Sequence, residues 1–158
     1  MGIDRRMQIL GEHSVNNHSC IYFDDYGHHP TEIEKTIEAI KDSYPDHKII
    51  MVFQPHRYTR TKDLFHEFVQ VLRQVDQLLL LDIYSAGENA LDGVDSENLQ
   101  KSLIDSGFDS VELIKDNQRI IDNIDKNIGS DTVFVFQGAG DISAISQQIK
   151  SNFFPDGQ

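Results

Sequence analysis

Apolar residues alternate along this chain between two spacings. Unbroken runs at Cys20-Ile21-Tyr22-Phe23, Ile49 to Phe53, Leu78 to Leu81, Val111 to Ile114 and Val133 to Phe136 take turns with stretches where apolar residues stand three or four apart. A continuous apolar run without period-two alternation suits a strand covered on both faces. The wider spacing suits a helix with one apolar side. Ile33, Ile37, Ile40 and Tyr44 predict a helix over about 31–43, with Pro30 in its first turn. Leu64, Phe65, Phe68, Val69 and Leu72 predict one over about 62–73, and Ser96 with Leu99 opens another over about 96–106. Ile120, Ile121, Ile124 and Ile128 mark a helix over about 117–128. Ile142, Ile145, Ile149 and Phe153 mark a last one, which Pro155 ends.

Strands and helices in this alternation predict a doubly wound α/β fold, a mostly parallel sheet with helices on both faces. Right-handed crossovers then bring the loops at 24–29, 54–61, 82–88 and 137–141 to one edge of the sheet. Residues 1–19 are polar and turn-rich; within them Met7 to Leu10 suit a short strand or a segment packed on the domain edge.

A length of 158 residues accommodates one domain with a real core. The net charge of −12, from 26 acids against 14 bases, argues against nucleic acid or an anionic membrane as a general partner. Phosphates could bind only where Arg or Lys cluster locally. Cys20 is the single cysteine and lies in an expected buried strand, so it reads as an inert core thiol. No N-terminal segment resembles a signal peptide, and no apolar run approaches the ~20 residues that span a bilayer. The expectation is a soluble cytoplasmic protein.

The expected edge carries chemistry. Asp24-Asp25-Tyr26-Gly27-His28-His29-Pro30 packs two carboxylates, a phenol and two imidazoles between a strand and a helix. Ligands of open α/β sheets bind at that end of the strands; the same residues singly are also ordinary turn formers. In Pro55-His56-Arg57-Tyr58-Thr59-Arg60, the two arginines stand three apart and would share a face of a helical first turn. A helix dipole favours anions there, so two guanidiniums invite a bound carboxylate or phosphate. Salt bridges to surface acids are the plainer alternative. His28 and His56 could orient or deprotonate a bound group. A zinc site of His28, His29, His56 and Asp25 is disfavoured, because adjacent histidines usually point apart. Gln137-Gly138-Ala139-Gly140-Asp141 is a short Gly-rich turn before a helix, not a dinucleotide fingerprint. With no Gly-x-x-x-x-Gly-Lys-Ser/Thr loop anywhere, these groups look like half of an active site.

Asp24 to Glu32, Phe53 to Thr61, Asp82 to Glu88, Gln137 to Ile142, and Arg5-Arg6 with Leu10-Gly11-Glu12 together resemble the C-terminal domain of the Mur ligases, in order and over essentially the whole chain. The resemblance implies a Rossmann-like amino-acid-binding domain at 20–158, preceded by an interdomain linker and edge segment at 1–19. It points to the branch that adds L-alanine to UDP-N-acetylmuramate in peptidoglycan synthesis. There ATP activates the muramoyl carboxylate as an acyl phosphate, Mg2+ assists, and both are held mainly by a central domain without a counterpart in this sequence. By residue match, Arg6 would reach the ATP phosphates and Asp25 the ribose. Tyr26, His28, His56, Arg57 and Arg60 would surround the alanine, the arginines taking its carboxylate. His28 and His56 are the candidate catalytic residues, and the match implies no metal ligands. The branch that ligates murein peptides shares the Asp-Asp-x-x-His-His-Pro turn and is the runner-up. A non-catalytic domain binding an acidic metabolite or partner is the alternative of a different class.

Overall fold

The computed structural model describes residues 6–155. Twelve elements follow in chain order: β1 (Gln8–Val15), β2 (His18–Asp25), α1 (Pro30–Ser43), β3 (Lys48–Phe53), α2 (Tyr58–Asp63), α3 (Phe65–Leu72), β4 (Gln77–Leu80), α4 (Ser96–Asp105), β5 (Val111–Leu113), α5 (Gln118–Asn127), β6 (Thr132–Gln137) and α6 (Ile142–Phe153). They form one six-stranded sheet in the order β1-β2-β6-β3-β4-β5. Every neighbouring pair is parallel except β1 with β2. Helices cover both faces. Ile33, Ile37 and Ile40 of α1, Phe68 and Leu72 of α3, and Leu99 and Leu103 of α4 pack on one side with Met51, Phe53 and Val135. Ile120 and Ile124 of α5 and Ile142 and Ile149 of α6 pack on the other with Tyr22, Val52 and Phe134. Cys20 is fully buried, and burial pushes its thiol pKa up.

Four details depart from the sequence pattern. β1 reaches Val15 rather than stopping near Leu10, because Asn16 and Asn17, with φ of 52° and 69°, close a two-residue hairpin into β2. The single helix expected over 62–73 is two, parted at Leu64, whose φ of −114° and ψ of 23° leave the helical region. Asp95, not Ser96, caps α4, accepting from the Asn98 N–H at 2.8 Å. Ser96 is buried and donates to the Leu81 carbonyl instead.

β6 inserts between β2 and β3. From β3 the chain moves outward to β4, whereas from β6 it turns the other way into α6, which packs back toward β1. That reversal is a topological switch point, and the crevice it opens lies at the carboxyl ends of β3 and β6.

Candidate functional site

Strand β2 runs two residues past its apolar run, and both Asp24 and Asp25 end up fully buried. Oδ1 of Asp25 accepts from the Gly27 N–H at 2.8 Å and from Nε2 of Gln137 at 2.9 Å. Its Oδ2 accepts from the Met7 N–H at 3.0 Å, and Nε of Arg6 stands 3.9 Å from Oδ1. The side chain is 1% exposed, so Asp25 lies beneath the rim. It is a clasp that ties the segment before β1 to the turn after β2. Arg6 itself is 48% exposed and lies 3.9 Å from Glu32 as well. Arg5 lies outside the described residues.

Nε2 of Gln137 also donates to the Gly27 carbonyl at 2.9 Å, while its buried Oε1 has no hydrogen-bond partner among the described residues. A Cβ on Gly27 would meet side-chain atoms of Asp25, Gln137 and Glu32 at 3.0 Å each, so a larger residue here would make those neighbours give way by a few tenths of an ångström.

His29 is the N-cap of α1. Its Nδ1 accepts from the Thr31 N–H at 3.2 Å, and Glu32 completes a capping box from the third position. The cap engages His29, whereas His28 turns to the rim. Among the described residues no group of three or more His, Cys, Asp and Glu is arranged to hold a metal ion.

Four rings line the rim in a row across three loops. Tyr26 meets His28 edge-on at 5.4 Å, His28 lies 5.4 Å from His56, and His56 stacks on Tyr84 at 5.5 Å with an 18° tilt. Nη1 of Arg60 lies 3.3 Å from Nδ1 of His56, and burial, followed by His28, Arg60 and Arg57, lowers the His56 pKa.

Arg57 stands just before α2, not in its first turn, with φ of 77° and ψ of 139°. Its N–H donates to the Tyr84 carbonyl at 2.8 Å, and its carbonyl accepts from the N–H and Oγ1 of Thr61. Arg57 and Arg60 nevertheless border one recess of about 330 Å³, with Thr59, Asp63 and Leu64. The anion that the start of α2 attracts is supplied by the chain. Glu88 accepts from the N–H groups of Tyr58 at 2.7 Å and Thr59 at 3.1 Å and from the Thr59 hydroxyl at 2.6 Å. That hydroxyl, and then the Thr59 N–H, hold the Glu88 carboxyl below the usual range. Nη1 of Arg57 is 4.0 Å from it, the outer limit of an ion pair. The sequence pattern assigns Glu88 no task; an acid directly after Gly87 in a loop on the functional edge was the available signal.

The Gly138–Gly140 turn packs against these loops. The Ile142 N–H donates to Oε1 of Gln54 at 3.1 Å, and Nε2 of Gln54 donates to Asp141. Beyond Tyr84 a cleft of about 590 Å³ opens between Gln54, Asp82, Lys115 and Asp141.

A rim of two guanidiniums, two imidazoles and two phenols suits a small zwitterion, its carboxylate on the arginines and its amine toward the rings. The family described as Mur ligase, glutamate ligase domain, matches residues 5–140. The UDP-N-acetylmuramate–L-alanine ligase of Buchnera aphidicola subsp. Acyrthosiphon pisum is 42% identical over 153 residues, covering 94% of this chain and 32% of that protein. The chain thus spans about a third of that relative's length. A crystal structure of UDP-N-acetylmuramate-alanine ligase from Thermotoga maritima superposes with a TM-score of 0.69 at 23% identity, over 94% of this chain and 30% of that one. A murein peptide ligase from Psychrobacter arcticus gives 0.69 at 20% identity, over 92% and 29%. Folylpolyglutamate synthase of Mycobacterium tuberculosis with ADP gives 0.57 at 15% identity, over 92% and 31%. At these identities the structural likenesses establish the fold.

Proposed function

The chain belongs to the Mur ligase family, matching its C-terminal domain, and we propose that it is the amino-acid-binding domain of an ATP-dependent ligase joining L-alanine to UDP-N-acetylmuramate. The 42% identity to a ligase of that name supports the choice of branch. The single observation that carries the site is the recess bordered by Arg57 and Arg60, with Arg60 3.3 Å from His56.

In this reading the two guanidiniums grip the alanine carboxylate and leave its ammonium toward the row of rings. Nδ1 of His28 lies 3.4 Å from the Tyr26 carbonyl, which can only accept, so a neutral His28 making this contact carries its lone pair on Nε2. That nitrogen is the candidate to take a proton from the ammonium, while neutral His56 orients it. ATP, with Mg2+ assisting, activates the muramoyl carboxylate as an acyl phosphate for the amine to attack. Arg6, exposed beside the turn after β2, is directed at the ATP phosphates. Asp25 fastens the Arg6 segment beside the turn and is assigned to the ribose of ATP. No phosphate loop of the Gly-x-x-x-x-Gly-Lys-Ser/Thr kind occurs in this sequence, so the nucleotide cradle and the muramoyl site belong to the rest of such a ligase. The same reading makes the domain cytoplasmic, where its nucleotide substrates are.

The test is steady-state kinetics of the whole ligase carrying Arg60→Ala in this domain. KM for L-alanine should rise about tenfold or more with KM for UDP-N-acetylmuramate unchanged, the pattern of lost amino-acid binding. An unchanged KM for L-alanine overturns the reading.

A further inference from the structure

The loop after β4 places a carboxylate against the arginine recess, and the reaction as read above gives it no step. We propose that Glu88 is a positioning residue for that recess: it holds Arg57 in the posture that presents its guanidinium, and thereby sets affinity for the α-carboxylate of the incoming amino acid. This rests on reading the recess as the amino-acid site.

Arg57 has a backbone that side-chain-bearing residues seldom adopt, with φ of 77° and ψ of 139°. Such a conformation persists only where its surroundings over-determine it, and it recurs at ligand clamps. Here the surroundings come from the 84–88 loop and from α2 itself. The Tyr84 carbonyl holds the Arg57 N–H at 2.8 Å, and Thr61 holds the Arg57 carbonyl through its N–H at 3.2 Å and its hydroxyl at 2.8 Å. The next two N–H groups, of Tyr58 and Thr59, both end on Oε1 of Glu88. Arg57 makes no side-chain cap of its own to α2. Glu88, 30 residues from Tyr58 in sequence, therefore supplies the cap that the first turn lacks.

The loop is shaped for this. Ala86 and Gly87 have φ of 52° and 89°, and the Glu88 N–H returns to the Ser85 carbonyl at 3.0 Å, which turns Glu88 back onto α2. With Oε1 committed to the two N–H groups and Oε2 to the Thr59 hydroxyl, the carboxylate cannot follow Arg57 outward. The Arg57 guanidinium, 46% exposed, stands 4.0 Å from Oε2, close enough to be drawn toward that carboxylate without a hydrogen bond to it. A carboxylate at that distance orients Arg57 and leaves its donors available to a second carboxylate.

The experiment places Glu88→Ala, Glu88→Gln and Arg57→Ala in the whole ligase and measures kcat and each KM. Glu88→Ala should raise KM for L-alanine about tenfold or more, leave KM for ATP and UDP-N-acetylmuramate unchanged, and leave kcat at saturating alanine within about threefold. Glu88→Gln keeps an oxygen for the Tyr58 and Thr59 N–H groups but loses the charge and the acceptor for the Thr59 hydroxyl, so it should fall between wild type and Glu88→Ala. It is the variant to read should Glu88→Ala fail to fold. Equal rises in all three KM values, or unchanged alanine KM in both Glu88 variants while Arg57→Ala raises it, overturn the role of Glu88. An unchanged alanine KM in Arg57→Ala overturns the amino-acid site itself.

Discussion

The guanidinium of Arg60 donates to Nδ1 of His56 across 3.3 Å. Guanidinium nitrogens only donate, so that imidazole nitrogen accepts, and His56 is neutral with its proton on Nε2. Three loops meet at this contact, since His56 also stacks on Tyr84 and faces His28.

Burial, then the His28 imidazole, then Arg60 and Arg57 lower the His56 pKa from the ordinary 6.5, against a smaller opposing pull from Glu88. A histidine with a depressed folded-state pKa stabilises fully above its unfolded value and loses that contribution as pH falls through the folded value. The stability advantage of wild type over His56→Gln should therefore shrink on acidification below 6.5. An NMR titration of the His56 ring should give a midpoint below 6.5, raised by Arg60→Ala. A midpoint at or above the ordinary value would refute the arrangement.

Asp25 holds together segments distant in sequence. Its loss strands the Met7 and Gly27 N–H groups and one of the two N–H donors on Nε2 of Gln137, all within 3.0 Å of its oxygens. A buried donor left without a partner costs roughly 1–3 kcal/mol, so Asp25→Ala should destabilise the chain by about 3 kcal/mol or more. Urea unfolding followed by circular dichroism measures it. A loss under about 1 kcal/mol would mean that water replaces the carboxylate and that the clasp is dispensable.

Arg57 offers a test of its backbone separate from its charge. Arg57→Ala and Arg57→Gly both remove the guanidinium, but only glycine occupies φ of 77° without steric cost. The glycine variant should be the more stable of the two by about 1 kcal/mol, opposite in sign to the usual order inside a helix or strand. Thermal melts of the two variants in one buffer decide it, and equal or reversed stabilities would show the conformation to be unstrained.

Much of this was legible in the sequence. Apolar runs without alternation marked β2 to β6, and spaced apolar residues marked the helices, because burial on two faces or on one leaves a distinct period. β1 was less visible: Glu12 and Ser14 interrupt its apolar positions, and the Asn16-Asn17 pair was the better signal. The break at Leu64 left no mark, because no glycine, proline or side-chain cap stands there. Arg57, Arg60, His28 and His56 were recognisable as residue types on one edge. Their row of rings was not, since it depends on β6 entering between β2 and β3. The burial of Asp25 was hidden for a related reason. A carboxylate next to a turn reads as exposed, whereas β2 continues beneath the turn and buries it between β1 and β6.

The same interlocking makes a remote methyl group informative. A Cβ on Gly140 would fall 2.6 Å from Oε1 of Gln54 and from Cγ of Tyr84, and 2.9 Å from Cβ of Tyr84. Something must move, and each neighbour is committed. Gln54 accepts from the Ile142 N–H, whereas the Tyr84 ring lies on His56 and its carbonyl holds the Arg57 N–H. Gly140→Ala should destabilise the chain by about 1–3 kcal/mol, the usual cost of overpacking. It should also displace the His56 ring resonances although no atom of His56 is altered. Gly129→Ala is the control, for its added Cβ meets nothing within 4 Å and its stability should stay within about 0.5 kcal/mol of wild type. Were Gly140→Ala to lower stability while leaving the His56 spectrum untouched, the loops after β3, β4 and β6 would be neighbours rather than one coupled unit, and Tyr84 would not carry displacement to the arginine recess.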